Sequence, residues 1–116
     1  MFIKDLLCIS PQLSYNFELF KSKPLTYSGN KYFAIEPDYK ELIPTALLRR
    51  MGKITRMGVG AGLPLLFKYS NIQGIIIGTT DGGISDSMNF LKQIEQYNEG
   101  TLTPTNFIQS TPNSLA

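Results

Sequence analysis

The chain has 116 residues, 42% hydrophobic and 17% charged, with a net charge of +2. This suits one modest globular domain burying roughly two-thirds of its surface, and so small a charge offers no concentrated basic face for nucleic acid. With no histidine and a single cysteine, the chain by itself has no Ser-His or Cys-His nucleophile pair, no histidine-ligated metal, no multi-cysteine metal site and no internal disulfide.

The opening MFIKDLLCIS is too short and too soon charged for a signal peptide. No apolar run reaches the roughly 18 residues that a membrane span needs, so a cytoplasmic protein is expected. Residues 2–9, with Ile3, Leu6, Leu7 and Ile9, predict a first strand. Cys8 within it reads as a small buried hydrophobe, since no cation stands near in sequence to favour a thiolate. Residues 10–31 hold Pro, Ser, Gly and Asn and read as a loop, with Tyr15, Phe17, Leu19 and Phe20 covering part of the core. Residues 31–37, KYFAIEP, alternate well enough for a short strand.

A helix is predicted to start at Pro44 and Thr45, because proline is tolerated in a first helical turn. Leu47, Leu48, Met51, Ile54 and Met57 recur at helical spacing. Arg49, Arg50, Lys53 and Arg56 fall mostly on the other side, either as a solvated face or as a docking surface for an acidic partner. The following GVGAGLPLLFKYSN predicts a tightly packed helix kinked at Pro64. Its glycines lack the G-x-G-x-x-G spacing and follow no strand, so they do not mark a dinucleotide site.

Residues 72–77 form a continuous apolar run and predict a central strand covered on both faces. The turn Gly78, Thr79, Thr80, Asp81, Gly82, Gly83 follows. It lacks the lysine and hydroxyl of a P-loop, and Asp81 would place a negative charge in the phosphate seat. Its glycines are read as permitting a sharp turn. Ile84, Met88, Leu91, Ile94 and Tyr97, with Phe90 beside them, predict a helix capped by Ser85 or Asp86 and ended by Gly100. Thr111 and Pro112 look like the start of a further helix. With about one turn before Ala116, the expectation is a disordered tail or the front part of a longer domain.

Three stretches together resemble the N-terminal part of the β-ketoacyl-acyl-carrier-protein synthases, condensing enzymes of the thiolase-like fold. LLRRMGKITRMGVGAG, residues 47–62, is similar to that family's R-R-M-x-R-x-x-R-x-A helix. GIIIGTTDGGISDSMNFLKQIEQYNEG, residues 74–100, is similar to its strand, G-x-G-x-G-G turn and helix. TPTNFIQSTPNSLA, residues 103–116, is similar to S-P-x-F-V-P-x-x-x-P-N-x-x-A. The likeness covers residues 44–116 in order and spacing; residues 1–43 match only in their expected first strand.

The resemblance implies an α/β layered fold with a mostly parallel sheet and packed helices, and a single truncated N-terminal domain over 1–116. It implies a 3-oxoacyl-[acyl-carrier-protein] synthase-like acyltransferase performing decarboxylative Claisen condensation in fatty acid, polyketide or pigment biosynthesis. The family's nucleophilic cysteine has no counterpart here, Cys8 does not correspond to it, and the family's histidines are absent. The chain alone is therefore expected to be inactive, and no cofactor or metal is implied.

Asp81 stands where the family often has an apolar gate to the acyl pocket. A carboxylate against an alkyl chain is costly, which argues against a long saturated substrate. Thr80 replaces the second glycine of that turn, narrowing its allowed backbone angles. Asn106 and Phe107 replace a stretch usually richer in aromatics. By resemblance, Asp81, Asn106 and Phe107 are candidate substrate contacts, and Arg49, Arg50, Lys53 and Arg56 are candidates for binding an acidic acyl carrier protein. A homodimer, or a heterodimer with a ketosynthase-like subunit, is implied. Two alternatives stand beside this: a non-catalytic chain-length-factor-like or scaffold subunit that binds a ketosynthase, and an unrelated small α/β binding domain.

Overall fold

The computed structural model describes residues 2–15, 21, 23–98, 100 and 102–111. Its regular elements are four helices: α1 (Thr45–Leu48), α2 (Lys53–Lys68), α3 (Ile84–Tyr97) and α4 (Pro104–Ser110). Among the described residues there is no strand, so the layered α/β fold with a mostly parallel sheet is not found.

The physical reason lies in pairing. A strand exists only where a neighbouring segment takes up its N–H and C=O groups. Residues 2–9, 31–37 and 72–77 run without regular structure. Among the described residues no backbone hydrogen bond joins two of these regions; the nearest approach is from the Ile35 N–H to the carbonyl of Ser10, just past the first of them, at 2.9 Å. The expected central strand is instead open to solvent, with Ile76 82% exposed. Cys8 is also exposed rather than buried.

The helix expected from Pro44 onward is divided. Proline at the α1 N-cap starts it, but Gly52 adopts extended backbone (φ −62°, ψ 163°) and restarts the chain as the α2 N-cap. α3 begins after two residues of positive φ, Gly82 (54°) and Gly83 (84°), and ends at Asn98 in the same left-handed region (46°). Glycine suits that region because it has no Cβ to clash. Neither Ser85 nor Asp86 caps α3 through its side chain; Asp86 instead sits in the first turn, where a negative charge meets the positive end of the helix dipole. Thr103 and Pro104 open α4, and Thr111 ends it. The expected helix start at Thr111 and Pro112 therefore fails at Thr111, while Pro112 lies outside the described residues. So do Phe17, Leu19 and Phe20.

The core is thin and sits between the 36–43 region and α2. Tyr39 and Ile43 are the buried hydrophobic residues among those described. Gly60 of α2 is buried beneath Tyr39: a Cβ on Gly60 would fall 2.2 Å from the Tyr39 Cε1 atom. The small residues of GVGAG thus admit an aromatic ring. Pro64, inside α2, has no N–H to give the carbonyl four residues earlier. That carbonyl belongs to Gly60, and the Tyr15 hydroxyl donates to it instead, at 3.2 Å. The Cα radius of gyration is 16.6 Å, against roughly 13 Å for a compact chain of this length. The accessible surface is 9301 Å², so folding removes about half, not two-thirds, of what the extended chain would expose.

Candidate functional site

The three resemblance-bearing stretches converge where the start of α2 meets α3 and α4. The Ser87 hydroxyl donates to the Ser110 carbonyl at 2.9 Å, and the Asn106 amide donates to the Gln93 side-chain oxygen at 2.6 Å. The Phe90 and Phe107 rings pack with centroids 5.5 Å apart. The Gln109 amide reaches across to the Arg50 carbonyl at 2.8 Å. Gly52 lies against Asp86 and Gln109, where a Cβ would be 3.3 Å from an oxygen of each. Gly83 is buried next to Ile54 and the Gln109 backbone.

The turn entering α3 is held by its own groups. The Thr79 hydroxyl accepts from the Gly82 N–H at 2.8 Å, and the Asp81 carbonyl accepts from the Ile84 N–H at 3.0 Å. Asp81 itself is exposed. The three candidate substrate residues therefore divide. Asn106 and Phe107 belong to the α3–α4 contact: Asn106 is committed to Gln93, and Phe107 packs on Phe90 with 57% of its surface still exposed. Asp81 stands on the solvent side of the turn. Two shallow concavities lie elsewhere. One, of about 470 Å³, is lined by Ser10, Pro11, Gln12, Leu25, Tyr27 and Tyr32. The other, of about 420 Å³, takes in Glu36, Tyr39, Thr45, Leu48, Arg49 and Arg56. Neither holds Asp81, Asn106 or Phe107.

The basic stripe is divided as well. Arg56 forms a two-pronged pair with Glu36, Nε to Oε2 at 2.7 Å and Nη2 to Oε1 at 2.8 Å. These hydrogen bonds hold the Glu36 carboxyl below its ordinary range and raise the Arg56 guanidinium further. The pair sits beside Tyr39. Burial first, and the Glu36 charge next, push the Tyr39 phenol up, and among the described residues its hydroxyl has no hydrogen-bond partner of ordinary geometry. Arg56 thus fastens the 36–39 region to α2 and is not a free cation. Lys53 lies over the Phe33 ring, 5.8 Å from its centroid. Arg49 and Arg50 remain exposed in the turn between α1 and α2.

A second polar cluster ties the N-terminal segment to the end of α2. Lys68 and the Tyr69 hydroxyl both donate to Asp5, at 2.7 and 2.9 Å, and Lys4 donates to Asn71 at 2.5 Å. The hydrogen bond from Lys68, then that from Tyr69, hold the Asp5 carboxyl below its usual range. Sequence reading missed this clasp and the Glu36–Arg56 pair, since both link residues far apart in the chain. The Gly60–Tyr15 bond left a partial signal, because Pro64 marks in advance which carbonyl needs an outside donor.

Among the described residues no group of three or more His, Cys, Asp or Glu could hold a metal ion. Among them no helix is long and apolar enough to cross a membrane. Comparison with protein-family models, with curated proteins and with solved structures finds no match.

Proposed function

We propose that this chain is the non-catalytic N-terminal portion of a 3-oxoacyl-[acyl-carrier-protein] synthase-like acyltransferase. It would position substrates for a decarboxylative condensation whose thiol is supplied elsewhere. The observation that supports this reading is the meeting of the three similar stretches, through Arg50, Gly52, Ser87, Gln109 and Ser110, at one junction. The reading does not bring the layered sheet with it.

Within this proposal each group has a limited task. Arg49, Arg50 and Lys53 are the exposed cations left for an acidic carrier protein, Lys53 resting over the Phe33 ring, while Arg56 is withdrawn by Glu36. Asp81 favours a short or polar acyl group, because an alkyl chain would strip water from its carboxylate. With no histidine in the chain, nothing here makes the usual electrophilic pair around a thioester oxygen. A second reading, a scaffold subunit that binds a ketosynthase without catalysis, is favoured by the uncovered side chains of Ile75, Ile76 and Ile77, since large exposed apolar patches mark interaction surfaces.

The test is binding of the purified chain to an acyl carrier protein, followed by calorimetry, alongside incubation with acyl and malonyl thioesters. Binding that weakens with salt is expected, falling roughly tenfold, about 1.4 kcal/mol, for the Arg49→Glu, Arg50→Glu double variant. No condensation product is expected. Failure to bind, or acyl transfer onto Cys8, overturns the reading.

A further inference from the structure

We draw no further inference here: the strongest candidate, the uncovered apolar patch of Ile75, Ile76 and Ile77 in the segment leading to α3, carries nothing more because nothing in the structure shows what covers it.

Discussion

The Tyr15 hydroxyl does for α2 what the missing N–H of Pro64 cannot, and this substitution can be measured. Tyr15→Phe keeps the ring and removes the donor 3.2 Å from the Gly60 carbonyl. Gly60 is buried, so water does not freely replace the lost partner. A net hydrogen bond contributes about 1 kcal/mol, and a stranded buried acceptor costs about 1–3 kcal/mol. The expected loss is about 1–2 kcal/mol, or roughly 4–8 °C in melting temperature for a chain of this size. Pro64→Ala supplies the decisive background. An alanine N–H at 64 closes the helical bond to Gly60, so the carbonyl no longer needs Tyr15. In that background Tyr15→Phe should cost less than about 0.5 kcal/mol, leaving a coupling of about 1 kcal/mol between the two sites. Urea unfolding followed by far-UV circular dichroism gives all four stabilities. Equal costs in both backgrounds would show that the hydroxyl does not serve the proline's orphan, and the argument would fail.

Three further outcomes are expected. Gly60→Ala and Gly62→Ala should differ in sign although both lie within α2: a Cβ at 60 meets Tyr39 at 2.2 Å, and one at 62 meets nothing within 4 Å. Overpacking should cost the first about 1–3 kcal/mol, while helix propensity should stabilise the second by about 1 kcal/mol; matching melting temperatures would refute the close approach. Tyr39→Phe removes a buried hydroxyl that has no partner of ordinary geometry among the described residues and should leave stability unchanged or raise it by about 1 kcal/mol, and a marked loss in urea midpoint would reveal a partner for that group. Acid sensitivity should include a part owed to Glu36. Because its folded-state pKa lies below the ordinary 4.5, its contribution is present above that pH and is lost as pH falls through the depressed folded value. Arg56→Met should remove that part of the acid slope, leaving the part due to Asp5, and an unchanged profile of unfolding midpoint against pH would count against the pair.

How far the chain was legible depends on whether the deciding contact is local. α3 was readable, because Ile84, Met88, Leu91 and Ile94 keep helical spacing and glycine precedes them. Its burial was not. Ile84, Met88 and Leu91 are exposed, and α4 packs through Ser87, Phe90 and Gln93 instead. Periodicity shows that a helix has an apolar side without showing what lies against it. The run 72–77 misled for a related reason. Its isoleucines satisfy every local preference of a strand, but hydrogen-bonded pairing is decided by a second segment. α4 obeys the rule of an N-cap followed by proline at Thr103 and Pro104, eight residues before Thr111, where the same pattern predicts a helix start. At the candidate site the charges were found but not their partners. Nothing near Arg56 in sequence points to Glu36, twenty residues earlier.

The open stretch after α2 has a consequence for handling the protein. Proteases bind substrates as extended chain, and residues 69–80 offer an accessible length of it. From Tyr69 to Thr80 there is no lysine or arginine, so trypsin has no cleavage site within it. An enzyme that cuts beside branched aliphatic residues meets three in a row. Brief digestion with thermolysin should therefore cut within residues 72–77, while trypsin, whose nearest site follows Lys68 at the end of α2, leaves residues 69–80 as one uncut stretch.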